Sequence, residues 1–478
     1  MPNENLRDFI SELEKNGELL RIKNEVDWNL ELSHIAKVNE EKTGPALLFE
    51  NVKDYKGGKV FVGALSSTKR LAIAMNMPIE TTQTQMARAW VDRCKTLIPP
   101  VYVATGAVKE NIDIGDDVDL FKFPVPKFYE RDGGRYIGTF ATCITKDPET
   151  GWINLGTYRM QMLDKNTVGV MFIKGKHGDL HRKKYIGLNK PMQVAVVIGY
   201  DPLMFLASST TISAGEDEYN YIGALRGSAV EVVKGEYVDL PIPANAEMVL
   251  EGELWPEELR AEGPFGEYTG YYSGVGTTPR HYINVKAVTY RNDMIFHSTT
   301  VGRPVTDTHM IQAMNRTATL WSDLEQMKVP GIQSVYVPPE SSGRYMAVVS
   351  VKCMYPGHSD HVGNAVIATT TGSYGFKVIV VVDEDIPADD MGRVLWAMTT
   401  RMNPLRGCQI ISRARSTPLD PSLPIGARDI TSRIIMDCTI PYEWKEKPTN
   451  ITLSEPVLEV VKEKWNEYGF KDAFSYKA

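Results

Sequence analysis

The chain has 478 residues, a formal net charge of −7, and 43% hydrophobic and 24% charged residues, the balance of a globular protein with room for more than one core. That acidic balance, with no cluster of Lys and Arg, argues against the basic surface a nucleic-acid partner requires. Five scattered cysteines, none in a C-x-x-C pair, fit reduced thiols and argue against a zinc–cysteine site.

The opening stretch "MPNENLRDFISEL" has acids where a signal peptide would have a basic region. Leu6, Phe9, Ile10 and Leu13 instead predict an amphipathic helix, with Asn3 as its cap and Gly17 at its end. A second helix is expected over residues 80–97, stopped by Pro99 and Pro100. From there to about residue 300 the pattern changes to short strands: "YIGTFATCIT", "INLGTYRMQML", "TVGVMFI", "MQVAVVIG", "AEMVLEGEL" and "YINVKAVTYR". Gly, Pro, Asn and Asp turns separate them, which predicts a strand-rich region closing partly into a barrel.

Residues 305–328 predict one long helix capped by Thr306 or Asp307, placed where a domain connector belongs. Beyond it strands and helices alternate: "YMAVVSVKC", "HSDHVGNAVIAT", "FKVIVVVDEDI", "ADDMGRVLWAMTTR". That is the grammar of an α/β layer with strands buried on both faces. The run "VIVVV" at 378–382 is far too short to span a bilayer, so a soluble, cytoplasmic protein without a membrane partner is expected. In the tail, Leu458, Val461, Trp465 and Tyr468 form a helical stripe expected to dock on another domain or subunit.

Several familiar chemistries have no motif here. There is no P-loop, H-E-x-x-H or G-x-S-x-G, and "SGVGTTP" has Pro279 where a dinucleotide fingerprint needs glycine. His358 and His361 in "GHSDH" stand at a helix start and read as solvated rather than as metal ligands.

Four stretches carry the remaining chemistry. "WINLGTYRMQ" holds Asn154 and Arg159, "KGKHGDLHRKKY" holds His177 and His181, and "GEDEYNYIGALRG" holds Glu216, Asp217 and Glu218. Asn, His and Glu form a sulfur-free ligand set suited to Mn²⁺ or Mg²⁺, although His177 and Glu218 read equally as exposed loop residues. "AEGPFGEYTGYY" places Glu262 and Glu267 on a bent Gly-Pro loop. Arg159, among apolar residues, needs an anion that either glutamate could supply; the alternative is a purely structural ion pair. Two loop carboxylates beside aromatics also suit a glycoside hydrolase, although that would leave Arg159 and the ligand set unexplained.

"NLGTYR", "ASSTTISAGEDEYNYIGALRG", "AEMVLEG", "EGPFGEYTGYY" and "LWAMTTRMNP" together resemble the UbiD-type decarboxylases, in the same order from about residue 5 to residue 445. The resemblance implies a Glu–Arg–Glu catalytic network of Glu262, Arg159 and Glu267. It implies a prenylated FMN cofactor contacted by Gly156, Thr157, Tyr158, Arg159, His177, Ser208, Ser209, Thr210, Glu218 and Lys377. A Mn²⁺ (or Mg²⁺) site would use Asn154, His177 and Glu218, with His181 one helical turn away as the rival ligand. A K⁺ site would use Ala207, Ser208, Thr210 and Glu218. Leu155 and Tyr268-Thr269 depart from the cinnamate-type branch and are closer to the hydroxybenzoate branch, with 4-hydroxybenzoate, vanillate or protocatechuate as substrate and His309 as the group meeting a ring hydroxyl. Another unsaturated or polyprenylated aryl acid is the alternative substrate.

The fold implied is α+β and α/β. Residues 1–304 would form a flavin- and metal-binding catalytic domain with a split-barrel-like β sheet, its first 100 residues helical and mixed. Residues 305–330 would form the linking helix, 331–450 a C-terminal α/β oligomerisation domain, and 451–478 a docking helix. The partners implied are a small aromatic acid, a UbiX-type flavin prenyltransferase, further copies of the chain as a dimer or hexamer, and a small accessory subunit. A non-catalytic assembly subunit would not need intact Arg159, Glu262 and Glu267.

Overall fold

Nine strands, in a computed structural model describing residues 4–471 and Phe474, form the sheet around which the rest is arranged. Its path runs Ile153–Gly156, Ala141–Lys146, Met192–Ile198, Met248–Leu254, Thr278–Tyr290, Thr167–Val170, Met160–Asp164. Asn111–Ile114 and Arg260–Glu262 also pair with the long Thr278–Tyr290 strand. The first and last strands of the path are neighbours in sequence, separated only by Thr157, Tyr158 and Arg159. So short a link spans at most about 14 Å. The sheet must therefore curl until its two edges nearly meet, yet they do not pair with each other. It is a split barrel, not a closed one, and "INLGTYRMQML" is two strands rather than the single strand its pattern predicts.

The central strands are buried on both faces, as period-two alternation requires. Val194, Val196 and Ile198 pack with Cys143, Met160, Val168, Leu250 and Ile283 on one side. Ala195 and Val197 pack on the other side with residues of the Pro202–Ser208, Glu218–Arg226 and Asp307–Gln326 helices.

A four-stranded sheet joins Leu19–Ile22, Ala46–Phe49 and Lys59–Val62 to Ile295–His297, tying the chain's beginning to the end of the barrel region. The first helix, Leu6–Lys15, buries Leu6, Phe9, Ile10 and Leu13. Its cap is Asn5, whose Oδ1 accepts from the backbone of Arg7 (2.9 Å) and Asp8 (3.1 Å); Asn3, the expected cap, lies outside the described residues. The second expected helix is shorter, Gln83–Arg93, because the Thr82–Gln85 capping box fixes its start. Among the described residues no helix is long and apolar enough to cross a membrane.

The five-stranded C-terminal sheet has the order Ile332–Tyr336, Met346–Val351, Val378–Asp383, Ile430–Cys438, Cys408–Arg415, parallel at its centre and antiparallel at both edges. Its last two strands were not expected from sequence. His358 begins the His358–Ala368 helix but is not solvated: it is buried, its Nδ1 accepts from Met354 N at 3.1 Å, and Tyr355 stacks on it. The tail helix Glu455–Glu463 has no buried residue.

The Asp307–Gln326 helix connects the layers. Gln83 Nε2 donates to its Thr317 Oγ1 and to Val337 O, both at 3.1 Å, and its Asn315 Nδ2 donates to Leu206 O at 3.0 Å. Leu320, on the same helix, is fully buried against Val335, Val349 and Val381. Leu320→Ala should therefore cost about 2–5 kcal/mol, read as a lower urea midpoint; an unchanged midpoint would mean that this face is not packed.

Candidate active site

The split in the barrel is where Arg159 sits. Its guanidinium donates from Nε to Glu262 Oε1 (3.0 Å) and from Nη2 to Glu262 Oε2 (2.9 Å), a two-pronged pair. Nη1 donates to Glu267 Oε1 and, at 3.3 Å, to Ser273 Oγ. The side chains of Arg159, Glu262 and Glu267 are only 9%, 1% and 8% exposed. Glu262 ends the Arg260–Glu262 strand, so the sheet itself fixes its position.

The loop after Glu262 is held by its own backbone. Gly263 lies at φ 95°, a left-handed conformation for which glycine is suited, and its N–H donates to Gln161 Oε1 at 2.8 Å. Gly266 N donates to Asp132 Oδ1 (3.0 Å), and Glu267 N to Tyr271 O (3.0 Å). Tyr136 OH donates to Glu262 Oε1 at 3.0 Å and lies 3.2 Å from Pro264 O. Phe265 packs on Tyr136 and lies under Arg159, 5.1 Å from ring centre to guanidinium carbon.

Burial raises the pKa of Glu267; Arg159 opposes the shift and the neighbouring Glu262 charge adds to it. Arg159 is held above its ordinary value: burial works against its charge, but Glu267 and then Glu262 outweigh burial. Arg280 Nε, 3.8 Å from Glu262 Oε2, is lowered by burial and by Arg159. Burial pushes Asp132 up to about 6 against the two backbone donors it accepts from. Tyr136, Gln161, Asp132, Ser273 and Arg280 were not singled out from sequence. Tyr136 stands at the start of the expected strand "YIGTFATCIT", where nothing marks it as a site residue.

Of the expected metal ligands, Asn154 and Glu218 adjoin at the barrel edge, and His177 and His181 both lie against Trp152. Glu218, at the start of its helix, accepts from Leu155 N at 2.8 Å, next to Asn154. Asn154 Nδ2 and His181 Nδ1 share Thr145 Oγ1, at 3.4 and 3.0 Å. The Trp152 ring lies 4.8 Å from His177 and 4.7 Å from His181. Glu218 is not an exposed loop residue: it is buried, and burial pushes its carboxyl up to about 8. Among the described residues it has no ion-pair partner, and His181 Nε2 is buried without a hydrogen bond. Burial lowers the pKa of both histidines, of His181 to about 4, which keeps their lone pairs free. A buried carboxylate lacking a cation, neutral imidazoles and an amide oxygen fit a hard divalent ion. Among the described residues no group of three His, Cys, Asp or Glu forms a ligand cluster, so the set depends on Asn154.

Of the expected cofactor contacts, Ser209 Oγ donates to Thr157 Oγ1 (3.3 Å), and Tyr158 folds back over Gly156 to accept from Gly178 N. Ala207 and Ser208 end the Pro202–Ser208 helix and Thr210 follows, so carbonyl oxygens suited to a cation gather there. Lys377 stands apart from these contacts, paired with Asp420 Oδ1 at 3.1 Å and with Ser422. His309 is neither a surface residue nor open to a substrate. It is fully buried, Nδ1 accepts from Thr306 N (2.9 Å), and Nε2 donates to Tyr268 O (2.5 Å).

Three family models match consecutive parts of the chain: the N-terminal, Rift-related and C-terminal domains of 3-octaprenyl-4-hydroxybenzoate carboxy-lyase (UbiD), over residues 10–90, 101–304 and 309–438. An uncharacterized protein of Archaeoglobus fulgidus is 34% identical, covering 98% of this chain and 99% of its own. The vanillic acid decarboxylase of Sedimentibacter hydroxybenzoicus, in closed form, superposes with a TM-score of 0.85 at 30% identity, over 99% of this chain and 100% of that one. HmfF from Pelotomaculum thermopropionicum, a UbiD-class enzyme solved with FMN, gives 0.87 at 31% identity, over 97% and 100%. An evolved dimeric form of HmfF, solved with prenylated FMN, gives 0.83 at 30%, over 96% and 98%.

Removing Arg159 would leave two buried carboxylates without their main counter-charge. Arg159→Gln should therefore destabilise the fold at neutral pH by about 3–5 kcal/mol. Carboxyls whose folded pKa is raised favour folding at low pH and lose that contribution as pH rises through the folded pKa. The deficit in urea midpoint should thus shrink from pH 7.5 to pH 5; an equal deficit at both would mean that charge burial is not its cause.

Proposed function

The chain belongs to the UbiD family of carboxy-lyases, and on that premise we propose that it catalyses the reversible, non-oxidative decarboxylation of a 4-hydroxybenzoate-type aromatic acid. The reading is carried by one observation: a buried guanidinium bonded at once to Glu262 and Glu267. The hydrolase alternative falls, because the family is one of carboxy-lyases and both acids are tied to Arg159 rather than flanking a glycosidic bond.

Breaking the bond between ring and carboxylate leaves an electron pair that no side chain can delocalise, and prenylated FMN, when bound, supplies the electron sink. Asn154, His177 and Glu218 would hold Mn²⁺ or Mg²⁺, whose charge would help to anchor an anionic cofactor. The carbonyls of Ala207, Ser208 and Thr210, with Glu218, would hold K⁺. The chain's own part is positioning and proton transfer. Glu267, carrying a proton, releases Arg159 Nη1, and the substrate carboxylate takes its place. Glu262 stays on Nε and Nη2 and fixes the guanidinium plane. The carbon–carbon bond breaks, CO₂ leaves, and Glu267 delivers its proton to the ring carbon that bore the carboxylate. Glu267, now ionised, returns to Arg159, which restores the starting arrangement once solvent supplies a proton. Exposed Leu395, Trp396, Leu405 and Ile410 on the C-terminal layer support assembly through further copies of the chain.

Protein produced with a UbiX-type flavin prenyltransferase should be coloured and release CO₂ from hydroxybenzoates; full activity from colourless, flavin-free protein would overturn the reading. Glu267→Gln keeps the shape but cannot deliver a proton, so turnover should fall by about 10²–10⁴. Exchange of solvent deuterium into the aromatic product should stop in that variant. Surviving exchange would pass the donor role to another acid. Glu218→Ala and His177→Ala should lose metal and flavin together; retained manganese in His177→Ala with loss in His181→Ala would move the ligand by one helical turn.

A further inference from the structure

A cavity of about 630 Å³ opens beside the barrel edge, between the turn at 147–152, the His177–Leu188 helix and the loop at 214–217. Each expected metal ligand adjoins its wall. Ile153 precedes Asn154, Leu180 precedes His181, and Asp217 precedes Glu218. His177 and His181 meet the wall through Trp152, whose ring lies edge-on to theirs at 4.8 and 4.7 Å. None of the residues expected to contact the flavin is among those lining the cavity. It is open to solvent at Thr150, Leu180 and Gly215, whereas Asn154, His181 and Glu218 are buried.

The wall suits a hydrated cation. Asp147 and Asp217 set two carboxylates against one ammonium, Lys184, which is itself held by Asp147 Oδ2 and Glu149 Oε2, both at 2.7 Å. Carboxylates accept from the waters around a divalent ion, and Mg²⁺ in particular sheds those waters reluctantly. Six waters occupy roughly 180 Å³, at about 30 Å³ each, so the space admits the ion with its first hydration layer. What separates the cavity from the imidazoles is the indole of Trp152. At these centroid distances the rings are in contact, and no water fits between them. The indole N–H donates to Glu216 O at 2.6 Å. That carbonyl belongs to the loop that carries Asp217 and leads into Glu218, so the latch and a ligand share one segment.

We propose that this cavity is the port through which a hydrated divalent ion enters and leaves, with Trp152 as its gate, so that metal exchanges while the flavin stays bound. The inference rests on the Mn²⁺ or Mg²⁺ reading of Asn154, His177 and Glu218 and adds the route to it. Swinging the indole away breaks two ring contacts and one hydrogen bond, and it uncovers both imidazoles together. Asp217 draws the ion to the mouth, and Glu218, the next residue, receives it. A flavin seated on its expected contacts leaves the port free.

The test uses FMN-loaded protein saturated with Mn²⁺ and mixed with excess EDTA at pH 7.5. Electron paramagnetic resonance follows the metal, and fluorescence follows the flavin. In the parent, metal should leave before flavin. In Trp152→Ala, loading and release should both become about 10-fold or more faster, because two ring contacts and a hydrogen bond no longer have to break. The Mn²⁺ dissociation constant should change little. Asp217→Asn keeps the side-chain oxygen that caps the helix at Tyr219 N but loses its charge. It should slow loading at low salt, with the difference fading at high salt. The port is overturned if metal in the parent leaves only as fast as flavin, or if Trp152→Ala loads and releases at the parent's rates. It is equally overturned if Trp152→Ala loses affinity through release alone, which would make the indole a support that orients the imidazoles. Protein that binds no Mn²⁺ would overturn the metal reading and the port with it. Failure of the decarboxylase reading is a separate result: no CO₂ from any acid, with gated exchange of Mn²⁺ intact.

Discussion

Everything at this site depends on placing one guanidinium in the gap of an unclosed barrel. Arg159 closes the three-residue link between the two edge strands, and its hydrogen-bonding directions are filled by Glu262, Glu267 and Ser273. A closed barrel would spend that backbone on strand pairing and leave no opening for a substrate. Burying one cation with two acids is costly unless the geometry is tight, and the supports of the loop supply that geometry. Gln161, Asp132 and Tyr136 hold the loop from the barrel wall, so the acids are fixed by backbone and not by long flexible side chains.

Much of this was legible in the sequence, and the reasons differ by element. The Val-rich strands Met346–Val351 and Val378–Asp383 read correctly because both faces are buried and nothing polar interrupts the run. The connector helix read correctly because its Thr306 start and Pro330 stop are local signals. The break at Thr157–Arg159 was not legible. Hydrophobic alternation continues through it, and only the edge-to-edge closure of the sheet turns those residues out of the ladder. The strands Cys408–Arg415 and Ile430–Cys438 were missed because polar residues interrupt both runs, Ser412 and Arg413 in the first and Thr431, Ser432 and Arg433 in the second, and the first is the exposed edge of the sheet.

At the site, residue types singled out the arginine and the two loop acids and the family resemblance joined them into one network, but neither showed what holds them. Gln161, Asp132 and Ser273 act through one or two hydrogen bonds each, and a lone polar residue beside a turn carries no periodic signal. The proximity of Lys176, Arg316, Arg344 and Arg415 was invisible for a different reason. Lys176, Arg316, Arg344 and Arg415 are far apart in sequence, and as isolated basic residues each reads as surface. Only the packing of the C-terminal layer against the connector helix places them together.

The connector helix also explains why a histidine so near the acids does not meet a substrate. His309 accepts from Thr306 N through Nδ1 and donates to Tyr268 O through Nε2, which requires the neutral imidazole with its proton on Nε2. Burial pushes its pKa down to about 4, so it stays neutral and both bonds persist at ordinary pH. Those bonds set the start of the helix and, through Tyr268, the end of the acid loop. Successive turns then reach Arg316 and Arg344 at Gln312, Leu206 at Asn315, and the Gln83–Arg93 helix at Thr317. Because side chains on a helix advance by about 100° per residue, a slip of one residue would turn all of these away from their partners together. The buried cap therefore keeps the acid loop, the neighbouring helix and the C-terminal layer in one register.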